Sequence, residues 1–175
     1  FSSKDWEEQK GREQTQEFAL SIVHRLGLPK DFKGTILDFG CGLGDAIPIY
    51  RSVYPHASFW GIDISEAAIM QCNQRYGDIA KFIQGDYHNA PNVDIIISSN
   101  VFEHLSDDIV VAKHLLAKCQ ELFIIVPYKE VIYPGGEHIN SYDEKYFASL
   151  KEEYDYIVFR SRAWGPTGWN LWFNV

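Results

Sequence analysis

The chain has 175 residues and a formal net charge of −8, and 46% of its residues are hydrophobic and 15% aromatic. This length and composition predict one folded domain with its own core and exclude a disordered chain. The acidic balance argues against a nucleic-acid partner, because phosphate contacts need clustered Lys and Arg.

The first predicted element is a helix over residues 5–27, in which apolar residues recur at three- and four-residue spacing. Apolar strands follow at 35–39, 57–63, 80–86, 93–99 and 122–128. Helical segments are predicted between them at about 44–53, 65–76 and 107–119. Strands that alternate with helices, and that are apolar almost throughout, predict an α/β fold with a parallel sheet.

The last third of the chain changes character. Residues 142–150 predict a short helix, and the segments "YDYIVFRSRAWG" and "GWNLWFNV" predict two strands. A tight turn over Gly165-Pro166-Thr167-Gly168 separates these strands, so we expect them to pair antiparallel.

The stretch "ILDFGCGLGDAIP", residues 36–48, predicts a bend between the first strand and the next helix. Its glycines allow a sharp backbone turn and the close approach of a ligand, and Pro48 suits the first turn of a helix that starts near Asp45. A dinucleotide site wants Gly at position 45, where Asp45 stands, so the spacing favours a ligand that is not a polyphosphate. The alternative is a plain strand-to-helix turn.

At "LDFGCGLGD" the chain resembles the class I S-adenosylmethionine-dependent methyltransferases, and the resemblance continues in order along nearly the whole chain. It implies a Rossmann-like, doubly wound, seven-stranded sheet, mostly parallel, in the order 3-2-1-4-5-7-6 with an antiparallel last strand. We expect a single domain over 1–175, with an N-terminal helical cap at 1–30 and a core at 31–175. The implied cofactor is S-adenosyl-L-methionine.

The resemblance also implies where the cofactor binds. Asp63, with two acceptor oxygens, is expected to hold the ribose hydroxyls; the alternative is a helix cap, for which Ser65 is better suited. Asp86 matches the acceptor of the adenine amino group and Tyr87 the residue that packs on the ring, although a solvated turn would also explain Asp86. The full predicted set is Asp38, Gly40, Cys41, Gly42, Gly44, Asp63, Ile64, Asp86, Tyr87, Asn100 and Val101.

Three members of this set have more specific expectations. Asp38 and Gly40 are expected near the methionine portion of the cofactor, and Asn100 and Val101 near its methyl group. Cys41 is expected there for its small size and not as a nucleophile. The fourth strand carries neither Asn/Asp-Pro-Pro-Tyr/Phe nor Pro-Cys, the motifs of family members that methylate DNA bases or amides, so those substrates are less favoured. The segment "VFEHL" instead resembles members that methylate small molecules and glycans.

Two histidines are candidates for a general base, since His titrates near neutral pH. His104 follows the fourth strand, and the alternative is that it packs the loop against the next helix. His138 lies in a long loop after the fifth strand, where contact with substrate and anchoring of the loop are both open. Glu103 is expected to orient a neighbour or to cap the helix.

Three widely spaced cysteines form neither a disulfide framework nor a zinc site, so we expect no metal and a reducing, cytoplasmic location. No apolar run approaches 18 residues, so no membrane partner is expected. The sequence therefore predicts methyl transfer to oxygen or nitrogen of a small-molecule or glycan acceptor. The alternatives are an NAD-dependent oxidoreductase and a non-catalytic cofactor-binding module; the acceptor and the oligomeric state are not indicated.

Overall fold

A computed structural model describes residues 11–150, 154–160 and 169–175 of the chain. Its strands are β1 (Thr35–Phe39), β2 (Ser58–Asp63), β3 (Lys81–Gln84), β4 (Ile95–Ser99), β5 (Glu121–Pro127), β6 (Asp155–Arg160) and β7 (Trp169–Asn174). The α-helices among the described residues are α1 (Gly11–Val23), α2 (Ile47–Val53), α3 (Glu66–Tyr76) and α4 (Asp108–Leu116).

The strands form one seven-stranded sheet in the order β3-β2-β1-β4-β5-β7-β6. The first five strands pair in parallel, and β7 pairs antiparallel with both β5 and β6. Both the predicted order and the predicted antiparallel last strand are confirmed.

Alternate residues of each central strand supply opposite faces of the sheet, as the pleat requires. On one face Ile36 and Ile97 pack in a buried cluster with Ile22 of α1 and Tyr50 of α2. On the other face Leu37 packs in a second cluster with residues of α4 and with the segment around Phe147. Two helical layers on a central sheet leave the carboxyl edge of the parallel strands for a ligand.

The predicted helix at 142–150 is wrong in kind and extent. Tyr142 instead forms an isolated bridge with Tyr128, and only Tyr146–Ser149 form a 3-10 turn. The buried Tyr142 hydroxyl donates to Asp108 at 2.9 Å, and this tertiary bond ties Tyr142 to α4. Residues 5–10 of the predicted first helix, and the turn predicted at 165–168, lie outside the described residues.

Among the residues that the structure describes, no helix combines the length and the apolar character needed to cross a membrane.

Pro48 lies in the first turn of α2, as predicted, although that helix begins at Ile47. Every predicted site residue up to His104 lies in or directly after one of β1 to β4.

Candidate functional site

The glycine bend after β1 is held against β2. Backbone N–H groups of Gly40 and Cys41 donate to the Ile62 carbonyl at 2.9 and 3.0 Å. Gly40 and Gly42 have φ angles of +75° and +51°, which favour glycine. A Cβ on Gly40 would lie 2.3 Å from Val101 Cγ2, whereas a Cβ on Gly42 would meet no atom within 4 Å. Val101 therefore closes one side of the bend, while the Gly42 position faces open space.

Asp63 joins this bend to the start of α3. One carboxylate oxygen accepts from the Gly42 N–H and the other from the Ser65 N–H, both at 2.9 Å. Ser65 is the N-cap of α3, since its hydroxyl accepts from the Ala68 N–H, so Asp63 is not the capping residue. Each carboxylate oxygen retains a further lone pair for a ligand hydroxyl.

Asp38 lies on β1 beneath the bend and is buried. Burial raises the pKa of Asp38 to about 7, and the nearby charge of Asp63 adds to the rise. The neutral and ionised forms of this carboxyl group are therefore close in free energy near physiological pH, and a cation placed beside it would favour the ionised form.

The third part of the site follows β3. The Gly85 N–H donates to the Asp63 carbonyl at 2.9 Å, which places the next residues beside the bend. Asp86 is exposed and caps the 3-10 turn Tyr87–Asn89, because its carboxylate accepts from the His88 N–H at 2.8 Å. Ile64 is 76% exposed, an unusual position for an isoleucine and one that leaves an apolar surface next to Asp63.

The segment after β4 brings two more predicted residues to the bend. Asn100 has a φ of +56°, a strained conformation for a residue with a side chain, and its N–H donates to the Ile125 carbonyl at 2.9 Å. Its Oδ1 atom is buried without a hydrogen-bond partner among the described residues. A buried acceptor without a partner among the described residues is suited to a ligand donor.

Cys41 is buried, and its thiol interacts with that of Cys72. This hydrogen bond and burial raise the pKa of Cys41 well above its ordinary value, so the thiol stays neutral at physiological pH. A neutral thiol is a poor nucleophile.

Asp45 is the residue whose role the sequence reasoning missed. It is buried, accepts a hydrogen bond from the Tyr76 hydroxyl at 2.6 Å and pairs with Arg12 Nε at 3.3 Å. Asp45 thus ties the bend to α1 and α3. No local pattern indicated this, because its partners are 30 or more residues away in the chain.

The two predicted histidines come together in a second cluster next to Val101. Their ring centroids lie 4.8 Å apart, and the backbone N–H of His104 donates to the Val101 carbonyl at 3.0 Å. Glu103, the third member of the cluster, is fully buried, and burial raises its pKa to about 8. The sequence named both histidines as candidates for a base and Glu103 only as a residue that orients a neighbour or caps the helix.

The long loop after β5 is fastened to this cluster by its own residues. The Asn140 side chain donates to the Phe102 and Leu105 carbonyls at 3.1 and 2.7 Å, and the Glu103 carbonyl accepts from the Ile139 N–H at 2.8 Å. These bonds bring His138, from the loop, against Glu103 and His104, from the segment after β4.

Comparison with known proteins agrees with this geometry. A family model described as "Methyltransferase domain" matches residues 36–122, about half of the chain, from β1 to the start of β5. The matched region contains the bend, Asp63, Asp86 and Asn100.

Two curated relatives match part of the chain. A malonyl-[acyl-carrier protein] O-methyltransferase from Paenibacillus sp. (strain JDR-2) is 30% identical over 114 residues, which are 59% of this chain and 41% of the relative. A trans-aconitate 2-methyltransferase from Klebsiella pneumoniae (strain 342) is 33% identical over 86 residues, 47% of this chain and 34% of the relative. The aligned parts therefore cover less than half of each relative's length.

Among solved structures, the plantazolicin methyltransferase BpumL in complex with SAH has a TM-score of 0.71 at 18% identity. The match covers 98% of this chain and 88% of that one, so the two proteins share a fold.

Proposed function

Since this chain belongs to the class I S-adenosylmethionine-dependent methyltransferase family, we propose that it transfers a methyl group from S-adenosyl-L-methionine to an oxygen or nitrogen of a small molecule or sugar. The observation that carries the proposal is the Asp63 carboxylate, which accepts from the Gly42 N–H in the bend after β1, where a Cβ on Gly42 would meet open space.

The residues around the bend fit the chemistry of this cofactor. When bound, S-adenosyl-L-methionine supplies a methyl group made electrophilic by its sulfonium. The unpaired Oδ1 of Asn100 and the open side of Gly42 are features that a ligand would satisfy. Residues proposed to hold the cofactor are Asp38, Gly40, Cys41, Gly42, Gly44, Asp63, Ile64, Asp86, Tyr87, Asn100 and Val101.

Each part of this set has its own proposed task. Asp63 accepts the ribose hydroxyls with its remaining lone pairs. The exposed Ile64 side chain and the half-buried Tyr87 ring offer apolar surfaces for a purine. Asp86 accepts the adenine amino group with the lone pairs that its cap leaves available. Asp38, in its ionised form, pairs with the cationic amino-acid end.

The acceptor is proposed to lie between the histidine cluster and the loop at 129–141. Methyl transfer is an in-line displacement, so the protein must align the acceptor and exclude water. His104 and His138 are placed to hold or remove the acceptor's proton. By their names, the relatives given above methylate malonyl-[acyl-carrier protein] and trans-aconitate, and the second of these acceptors is a small molecule.

A methyl-transfer assay tests the proposal. We would incubate the protein with methyl-labelled S-adenosyl-L-methionine and a panel of alcohols, amines, carboxylic acids and sugars, and we expect label to appear in at least one product. We expect Asp63→Ala to weaken cofactor binding at least about 100-fold, because two hydrogen bonds to a charged acceptor are lost.

Asp94→Ala is the matched control for this variant. Asp94 also accepts a backbone N–H, from Thr35 at 2.7 Å, but it lies at the amino end of β1 and β4. The Asp94→Ala variant should be less stable than the unchanged protein but should bind the cofactor with the same affinity. Equal affinity losses in the two variants would contradict the ribose assignment, and absence of cofactor binding in the unchanged protein would contradict the proposed function.

A further inference from the structure

Glu103, His104 and His138 each offer one ligand atom, and these atoms all lie within 4.8 Å of one another. We propose that this triad binds a divalent transition-metal ion of the zinc type and that the ion's open coordination position takes the acceptor oxygen. Binding of the metal stands on the triad alone, whereas its catalytic use rests on the proposed function.

The backbone holds the three residues in a fixed arrangement. Glu103 and His104 lie on the 3-10 turn Phe102–His104, and Asn140 joins both ends of that turn to the loop that carries His138. Two N–H groups of the loop, those of Ile139 and Asn140, donate to the Glu103 carbonyl. The cluster is thus assembled from two segments by hydrogen bonds that do not use the proposed ligand atoms.

The hydrogen bonds of the two rings indicate which nitrogen of each ring is the proposed ligand atom. His104 Nδ1 lies 3.0 Å from the Glu137 carbonyl oxygen, and His138 Nδ1 lies 2.5 Å from Glu130 Oε2. Because a carbonyl or carboxylate oxygen accepts, each Nδ1 carries the proton and each Nε2 keeps its lone pair. Metal-binding histidines usually donate their second N–H to such an oxygen, which fixes the ring and strengthens the ligand.

Glu103 supplies the observation that points to a cation. Its side chain is fully buried, and neither carboxylate oxygen has a hydrogen-bond partner among the described residues. A buried carboxylate without partners is costly, and a coordinated metal ion removes that cost. The cluster therefore holds a buried carboxylate that has no partner among the described residues, together with two oriented imidazoles.

The donor set selects the class of metal. Two imidazoles and one carboxylate form a set that binds catalytic zinc and leaves a fourth position open. Magnesium and calcium prefer oxygen ligands throughout, so they fit less well. Ligand atoms around a tetrahedral zinc lie about 3.3 Å apart, as ligand bonds of about 2.0–2.2 Å require. The triad must therefore contract by at most roughly 1.5 Å to reach this geometry.

An ion at this position would activate a hydroxyl acceptor. A bound divalent metal lowers the pKa of a coordinated O–H group, whose proton then leaves to water. The acceptor oxygen forms its new bond to the methyl carbon of S-adenosyl-L-methionine. The carbon–sulfur bond breaks, and its electron pair stays on sulfur. This metal-assisted route would replace direct proton removal by His104 or His138.

Titration with Co²⁺ tests the metal site without reference to activity. We expect untagged protein to bind one Co²⁺ and to show the visible d–d absorption that is typical of a Co²⁺ ion with a low coordination number. We expect Zn²⁺ to displace the bound Co²⁺. We expect His138→Ala and His104→Ala each to lower Co²⁺ affinity at least about 100-fold, and Glu103→Gln to lower it with the fold verified by circular dichroism. His56→Ala, at an exposed histidine in the turn before β2, should leave Co²⁺ binding unchanged.

Three results would overturn the inference: no Co²⁺ binding at millimolar metal, binding that survives in the His104→Ala/His138→Ala double variant, or binding lost equally in His56→Ala. Calorimetry with S-adenosylhomocysteine on the same samples separates this inference from the proposed function. Cofactor binding without Co²⁺ binding rejects the metal site alone, and Co²⁺ binding without cofactor binding rejects the proposed function alone.

Discussion

At the scale of single residues, the site depends on carboxylates in contrasting environments. Asp63 is tied to two backbone N–H groups, whereas Asp38 is buried one strand away and its pKa is raised to about 7. The sequence placed both at strand ends because acids directly after apolar strands are conspicuous. It could not predict the raised pKa, which depends on helices packed from elsewhere in the chain.

Asp38→Asn should therefore stabilise the ligand-free protein at pH 8 and weaken cofactor binding. The pKa of Asp38 is higher in the folded state than in the unfolded state, so the folded protein binds more protons between about pH 4 and 7, and stability falls as pH rises through that window. The neutral amide removes this dependence of stability on pH, and we expect the free energy of unfolding at pH 8 to rise by about 1–3 kcal/mol. Denaturant unfolding at several pH values measures the effect; an unchanged slope would show that Asp38 is not the group responsible.

Gly42→Ala should lower cofactor affinity at least about tenfold, because its methyl group would enter the open space of the bend. Gly27 is the matched control, since it also has a positive φ, of +66°, and open space around it, but lies near the end of α1. Each substitution forces a left-handed alanine at a cost of about 1–2 kcal/mol. Calorimetry and thermal unfolding of both variants separate the two effects; equal affinities would place the cofactor away from Gly42.

At the scale of elements, the site is made by segments that follow strands and by one loop fastened to them. The strand positions could be predicted from apolar runs, and the 3-10 turns that present Tyr87 and His104 could not, because each spans only three residues. The prediction of a helix at 142–150 failed for a related reason. Its local pattern was helical, but Tyr142 is held by the long-range contacts with Asp108 and Tyr128.

Asn140→Ala should release the loop at 129–141. The substitution removes the two hydrogen bonds that the Asn140 side chain donates to the Phe102 and Leu105 carbonyls, at a cost of about 1–3 kcal/mol. We expect faster amide hydrogen exchange in the loop and a higher KM for the acceptor, with cofactor affinity nearly unchanged. The exposed Ser141→Ala is the control. A loss of cofactor affinity equal to the loss for the acceptor would mean that the loop supports the whole site.

At the scale of the molecule, the fold brings distant segments to one edge of the sheet. The strand order followed from the resemblance of ordered motifs, and the antiparallel register of β7 between β5 and β6 agrees with it. What the sequence could not foresee are the contacts that cross the chain, such as Arg12 and Tyr76 on Asp45 and the triad around Glu103. These pairings are set by the packed fold and leave no periodic trace in the sequence.

The most direct test of the account is a calorimetric titration of the unchanged protein with S-adenosyl-L-methionine and, separately, with NADH. Asp45, at the position where a dinucleotide site wants glycine, favours the sulfonium cofactor over a pyrophosphate. We predict saturable binding of one S-adenosyl-L-methionine per chain and no measurable heat with NADH. Saturable NADH binding, with none of S-adenosyl-L-methionine, would contradict the account.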